Sequence, residues 1–570
     1  MNLKRFSGGT LGLLALSALA CACSSKADDC NANKNCAPYD SGGAGSTGTS
    51  GSAGTSGATG HSGSGGVSGT SGRAGAGAGS AGTSTDAGAA GAPSTCDGTL
   101  GPDADNCVIS DDYGVFVAPT GDDTTGDGTE AAPFATLTTA LTKLDQIKRI
   151  YVCAAEYTEV GTLQIPSGVA IYGGFGCDGG VWSYDSKNNK ASFKPQSPIG
   201  AEIKNASGVI LEDLSITAAD ATGPGASSFG LMVVGSDGVA LTRVVIKAGN
   251  GAIGSAGTDG TNGADGADVT VAAINGQNGH AAICTGTSDN TGPSWPAQSA
   301  CNVRGGAGGT GYKSSDGDPG TTGVPLENIF ASGVKNGGAG ATDAGAAVDG
   351  KSGGDGSAGL PGINGAVAKD IGTFSATGYA VASGGDGSDG FPGQGGGGGG
   401  ASKGDGGTCT GASGGAGGMG GCGGTHASGG KGGGASIGLL SWNSKVDLLN
   451  SSVVAMTGGG GGSGGKAGTG GLGKPGGLGG TTDTNHGIGA GGSGGKGGAG
   501  GNGGNGSGGT GGPSIAIVYS TSEPAVDNQS AVTAGTGGTP GAGGTYGNTA
   551  TKASDGITGL AKGKYKVPGT

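Results

Sequence analysis

Aromatic side chains are scarce in this 570-residue chain, at 4%, and charged ones make up only 12%. Hydrophobic residues reach 33%, while 147 residues are glycine. Glycine loses more entropy on folding than any other residue, so a conventional packed domain cannot account for the whole length. The 20 prolines and the lack of a Gly-X-Y register running the length of the chain exclude a collagen triple helix. Basic residues number 29 against 42 acidic ones, a net charge of −13. That balance leaves no electrostatic footprint for nucleic acid or for an anionic membrane surface. The apolar run "LGLLALSALA" at 11–20 is too short to span a bilayer as a helix.

What is present at the N-terminus is a secretory pattern: "MNLKR" is basic, the apolar run follows, and "ACACSS" comes directly after. It resembles a bacterial lipoprotein signal, in which cleavage precedes a cysteine that receives diacylglycerol. Residues 1–22 would then be the signal peptide and Cys23 (or Cys21) the lipidated residue; neither has the favoured Leu three residues before it. Of the 12 cysteines, cleavage before Cys23 leaves Cys30, Cys36, Cys96, Cys107, Cys153, Cys177, Cys284, Cys301, Cys409 and Cys422. These fall into five pairs of close sequence neighbours, as expected of disulfides in an oxidising compartment. Irregular spacing and the lack of Cys-x2-Cys pairs argue against zinc.

Residues 23–110 read as a flexible tether, because stretches such as "SGGAGSTGTSGSAGTSGATG" cannot bury apolar surface. Folded structure is expected from 111. Residues 111–205 read as an N-terminal cap and the first coils, with a helix over about 134–148 marked by Phe134, Leu137, Leu141, Leu144 and Ile147. Pro133 suits the first turn of that helix. "RIYVCAA" and "VAIYGGF" are short β-type runs.

Residues Val117 through Asp123, Gly128, Thr129, Pro133 through Leu137, Ile150 through Val152, Tyr157, Glu159 and Ile171 through Phe175 carry a further pattern. It resembles the opening of extracellular right-handed parallel β-helix proteins, over roughly 60 residues of chain. The resemblance implies an all-β fold, a right-handed parallel β-helix with a capping helix. A fold of this kind does not by itself imply an activity.

Residues 206–570 repeat one frame, with apolar or small residues at offsets 0, 2, 5, 7 and 9. It starts at Val209, Val239, Val324, Phe374, Val446 and Ala525, with a partial copy from Val269. Alternation by two marks strands and the central step of three a bend. "FGLMVV", "IGLLSW" and "IAIVYS" add a strand about ten residues before three of these frames. Each rung buries its inner face by stacking on the next. The excess length between rungs is glycine-rich and leaves the same edge of the frame.

Residues 491–505 are strict Gly-Gly-X triplets. A three-residue period matches polyproline-II geometry, whose sideways N–H and C=O groups can pair between bare neighbouring backbones. The glycine-rich loops are therefore expected to be polyglycine-II-like arms. Pro-Gly steps at "DPGT", "LPGI", "FPGQ", "KPGG" and "TPGA" read as type II turns where an arm reverses. The Gly-Gly-X tracts resemble the PGRS-type domains of mycobacterial surface proteins, whose helical N-terminal domain is absent here. The whole resembles β-helix surface lipoproteins of the kind found in myxobacteria.

Candidate chemistry is sparse. His61, His280, His426 and His486 are the four histidines, all in linker or glycine-rich surroundings that cannot hold a base to catalytic tolerance. The Gly-His-Gly and Arg-Ile-Lys motifs of polygalacturonase-like enzymes are missing. Asp122 with Asp123, and Glu212 with Asp213, are the carboxylate pairs that could act as acid and base. "GGDGSDGFP" at 384–392 matches a calcium-binding nonapeptide, making Asp386 and Asp389 calcium candidates. Its sister copy lies about thirty residues away, whereas such sites need adjacent copies. The expectation is a non-enzymatic lipoprotein of the outer membrane, without cofactor or metal, structural or adhesive in the cell envelope. Its partners would be the membrane, through the lipid, and extracellular polysaccharide or envelope components, not nucleic acid. The alternative is a carbohydrate-active or carbohydrate-binding β-helix protein.

Overall fold

The apolar frames become the strands of three parallel sheets. The first sheet orders Val115–Val117, Arg149–Cys153, Ala170–Gly176, Ser207–Glu212, Asp237–Thr242, Val446–Leu449 and Ala525–Val526. The second orders Glu156–Glu159, Ala191–Pro195, Leu214–Thr217, Val245–Lys247, Ser452–Val454 and Ala531–Thr533. The third orders Leu163–Gln164, Ile199–Lys204, Ser228–Val234, Ser436–Trp442, Ser514–Tyr519 and Ala561–Lys566. From Ala191 onward the chain visits the second, third and first sheets in that fixed cyclic order. This computed structural model describes residues 96–268, 271–278, 288–295, 301–325, 348–546 and 552–569. They are nearly all β, with few helical turns.

Register stacks like on like. Leu211 pairs with Leu241 and Leu241 with Leu448. Ile216 pairs with Ile246, and Ile246 with Val453. Leu231, Leu439 and Ile517 form the same kind of column. These side chains are buried in one continuous core, each coil covering the apolar face of the one before it. The third sheet is buried on both faces: Met232, Leu440 and Val518 pack outside it with Phe374. That explains why its strands read as unbroken apolar runs.

Bends between sheets are stacked as well. Asp213, Arg243 and Asn450, at the turn from first to second sheet, have φ of 52°, 55° and 48°. Asn205, Gly235, Asn443 and Thr521 take the left-handed region at the preceding bend. Asx residues tolerate this backbone because their short side chains bond locally.

Two expectations near the cap need correction. The helix spans only Leu137–Lys143. Phe134 is held in a parallel bridge to Val117, and Asp123 Oδ1 accepts from the Ala135 and Thr136 amides at 2.8 and 3.0 Å, so the helix starts after them. Glu159 then accepts from Leu137 N at 2.8 Å, and Leu144 is already extended at φ −62°, ψ 128°. Folded structure also begins before residue 111. Residues Asn106–Val108 form a 3-10 turn, Cys96 is bonded to Cys107, and the Tyr151 hydroxyl donates to the Val108 carbonyl.

One rung frame is not a rung, and a second lies almost wholly outside the described residues. Val324 bridges Arg304 in antiparallel fashion, and the rest of its frame from residue 326 lies outside the described residues. Phe374 belongs to an antiparallel hairpin, Gly372–Ser375 with Gly378–Val381, in which its ring lies 5.0 Å from that of Tyr379. Val269 is outside the described residues, and Val271–Ile274 is a short helix. The insertions are therefore 248–435, 455–513 and 534–560, each leaving after a second-sheet strand and returning at a third-sheet strand.

Candidate functional site

Two features of the folded unit are built enough to consider: the insertions, and a charged cluster at the first bend.

In the insertions, extended segments lie side by side and bond at a three-residue step. Along 491–502, Gly491, Gly494, Gly497 and Gly500 donate to the carbonyls of Gly480, Gly477, Lys474 and Gly471 at 2.8–2.9 Å. Gly492, Gly495, Gly498 and Gly501 donate to Gly400, Gly397, Gln394 and Phe391 at 2.8–2.9 Å. Their carbonyls accept from Gly415, Gly418, Gly421 and Gly424, while Gly353, Gly356, Gly359 and Gly362 donate to the third residue of each triplet. One arm thus bonds to four neighbours. Glycine is required by approach distance: a Cβ on Gly497 or Gly500 would overlap the carbonyl oxygen of Met419 or Cys422.

Side chains complete the pattern in a way the sequence reading missed. Asp355 Oδ1 accepts from Lys496 N at 2.7 Å, Asp259 from Lys466 N at 2.7 Å, and Asn262 from Thr469 N at 2.9 Å. Asp265 does the same for Leu472 N at 2.7 Å. The signal was present: Asp259, Asn262 and Asp265 recur at a step of three, each followed by glycine. The calcium candidates belong to this set. Asp386 Oδ1 accepts from Gly429 N, and Asp389 Oδ1 from His426 N, both at 2.8 Å. Asp389 also meets His426 Nδ1 at 2.7 Å, and those bonds hold its carboxyl below the ordinary carboxylate value.

The Pro-Gly steps do not turn the chain. None of Gly320, Gly362, Gly393, Gly476 and Gly541 has positive φ. Proline's fixed φ suits a three-fold extended helix, and its missing N–H falls where the arm needs no donor.

Among the cysteines, Cys96–Cys107 and Cys153–Cys177 join close neighbours as expected. Cys301 instead bonds Cys422, 121 residues away, so pairing by sequence proximity fails there. Folding brings the 301–325 segment against the 411–434 arm, beside Trp295 and Met419. Cys409 is disulfide-bonded too. Cys21, Cys23, Cys30, Cys36 and Cys284, with His61 and His280, lie outside the described residues.

At the bend, Glu212 and Asp213 meet Arg243 from the next coil. Arg243 Nε lies 2.6 Å from Asp213 Oδ1 and its Nη2 3.0 Å from Oδ2; Nη2 also contacts Glu212 Oε1. The Tyr184 hydroxyl donates to Asp213 Oδ2 and lies 3.1 Å from Glu212 Oε1. Asp213 has no exposed side chain and Glu212 little. Burial raises Glu212 above the ordinary carboxylate value against the opposing pull of Arg243. Burial, then the bond to Asp213, raises Tyr184, while the bond to Asp213 raises Arg243. A cavity of about 540 Å³ opens beside the cluster, lined by Lys187, Asn188, Lys190, Arg243 and Asn450. Lys190 donates to the Arg243 carbonyl at 2.8 Å, and burial pulls its ammonium below the ordinary value.

The other carboxylate pair is structural. Asp122 Oδ1 accepts from the Thr124 and Thr125 amides, and Asp123 Oδ1 from the Ala135 and Thr136 amides just before the helix. His486 pairs with Asp483 at 2.9 Å on the surface. Among the described residues, the one group of three potential metal ligands is Cys96, Asp105 and Cys107, whose two sulfurs are joined in a disulfide. No described helix is long and apolar enough to cross a membrane.

No family model matches the chain, and no curated protein matches it. Among solved structures, a rhamnogalacturonan lyase is similar with a TM-score of 0.19 and 15% identity. That match covers 26% of this chain and spans 42% of the other.

Proposed function

We propose that this chain is a non-enzymatic surface lipoprotein with a structural or adhesive role in the cell envelope. In this reading the chain is anchored to the outer membrane through Cys23 (or Cys21). It presents a right-handed parallel β-helix braced by a polyglycine-II-like bundle. The observation that carries it is the arm lattice, in which the glycine amides and the carbonyls of successive triplets bond to four neighbouring arms. Such a body is stiff because every displacement of an arm breaks bonds on several sides, and stiffness is what a spacer or adhesive element needs. Against an acid–base role stands the Glu212–Asp213 pair, whose oxygens are engaged by Arg243 and Tyr184 in place of a substrate.

One observation favours the carbohydrate reading: the cavity beside Arg243 gathers Lys187, Lys190 and Asn450, donors suited to an acidic sugar. Two assays separate the readings. Metabolic labelling with a palmitate analogue should mark the full chain and be lost in a Cys21→Ser/Cys23→Ser variant. Incubation with pectin-like and other acidic polysaccharides should release no reducing ends. An unlabelled protein, or steady product release abolished by Arg243→Leu, would overturn the proposal.

A further inference from the structure

The two ends of the coil stack are finished differently. At the N-terminal end the helix Leu137–Lys143 packs on the first strands and buries Leu137 and Ala140 in the core. At the C-terminal end the last strands are Ala525–Val526, Ala531–Thr533 and Ala561–Lys566, and no further strand pairs with them among the described residues. An edge of this kind presents unpaired N–H and C=O groups, on which another chain can add. Because the N-terminal end is covered, the end of a second copy left open to meet it is the same one, related by a two-fold axis.

Side chains change character at that last coil. Leu231, Leu439 and Ile517 form a core column, and the next position in it is Lys564. Val233, Ser441 and Tyr519 lead in the same way to Lys566, and Phe229, Ile437 and Ile515 to Lys562. The column of Met232, Leu440 and Val518 instead continues with Tyr565, whose ring lies 5.8 Å from that of Phe374. The strand is therefore not simply polar: it still packs beneath Phe374 while lysine takes the alternate positions.

Lys564 is also held in place. Its Nζ lies 2.8 Å from Glu523 Oε1, and the Tyr519 hydroxyl donates to Glu523 Oε2 at 3.1 Å. Glu523 sits on the bend leading into Ala525–Val526, so this pair joins the last strand of the third sheet to the end of the first.

Two such ends brought together would pair Ala561–Lys566 with itself in antiparallel fashion. Registers that keep core face against core face move by two residues. In each of them lysine falls opposite lysine: with Lys564 on the axis, Lys562 meets Lys566. Like charges directly opposite destabilise a strand pair, and burying unpaired ammonium groups costs more.

We propose that Lys562, Lys564 and Lys566 terminate the coil stack, keeping a second copy of this chain from adding to its C-terminal end.

The test is sedimentation velocity of the full chain over a range of concentrations. A Lys562→Ile/Lys564→Ile/Lys566→Tyr variant gives the last strand the residues that the preceding coil carries in those columns. It should self-associate at least about tenfold more tightly than the natural chain and stop at a dimer, since its other end is covered. A Lys351→Ile/Lys466→Ile/Lys496→Tyr control makes the same exchanges at exposed positions on the arms and should sediment as the natural chain does. If the apolar variant does not fold, Lys562→Thr/Lys564→Thr/Lys566→Thr is read in its place. A folded strand variant that associates no more than the natural chain, or a control that associates equally, would overturn the proposal. So would Lys564-to-Lys564 cross-links between copies of the natural chain, which would show that the lysines do not keep this end apart.

Discussion

Replacing Gly497 with alanine adds one methyl group, and the sign of its effect separates a packed arm from a slack loop. In a slack loop Gly→Ala stabilises by about 0.4–1 kcal/mol, because the unfolded chain loses freedom. In this structure Gly497 is buried, and its added Cβ would overlap the Met419 carbonyl oxygen and approach Gly420 N. Both are backbone atoms that cannot rotate away, so the 411–434 and 491–512 arms must part locally. The bonds on either side are Gly418 N to Gly495 O at 2.8 Å and Gly421 N to Gly498 O at 3.0 Å. Each bond lost in a buried setting costs about 1–3 kcal/mol, so losing both should make the variant less stable by about 2–6 kcal/mol. The assay is denaturant unfolding of the Gly497→Ala variant beside a Lys496→Ala control, whose side chain is exposed and whose change should fall within about 0.5 kcal/mol. A neutral or stabilising Gly497→Ala would refute the reasoning.

Three further outcomes are expected. Arg243→Leu leaves Asp213 buried without its cation and should cost about 3–5 kcal/mol, read by thermal unfolding; a loss under about 1 kcal/mol would show that the cluster does not clamp successive coils. Because burial raises Glu212 above its unfolded value of 4.5, its contribution to stability is fully present below that pH and fades as pH rises through the folded value. Relative to Glu212→Gln, the natural chain should therefore lose stability as pH climbs above 4.5, and a flat difference across that range would contradict the assignment. Removing the Cys301–Cys422 bond with two serines should speed amide exchange over 303–324 while leaving the third-sheet strands unchanged; typical disulfide contributions of about 2–4 kcal/mol set the scale.

The rungs were legible because their signal is a period. Val209, Val239, Val446 and Ala525 all begin strands or lie in them, and "FGLMVV", "IGLLSW" and "IAIVYS" are third-sheet strands. The Phe374 frame failed because alternation by two with a central gap also describes a hairpin, and only its neighbours decide which forms. The Pro-Gly steps differ from the expected type II turns because the glycine after each proline lacks the positive φ such a turn needs, and the neighbouring arms bond at a three-residue step. The Cys301–Cys422 bond was hidden because it depends on how the insertion packs across 121 residues. At the charged cluster, the sequence offered Glu212 and Asp213 as a pair. Nothing in it placed Arg243 and Tyr184 against them, since those contacts arise from coil stacking and from a short antiparallel strand at Ser183–Tyr184.

Residue-level amide exchange along 491–512 tests the central claim most directly. If mutual pairing of bare backbones holds the arms, Gly494, Gly497, Gly500 and Gly503 should be protected to the same order as Leu439 and Leu440 in the buried strand Ser436–Trp442. Exchange at the rate of an unstructured chain across those glycines, with the strand still protected, would contradict the account.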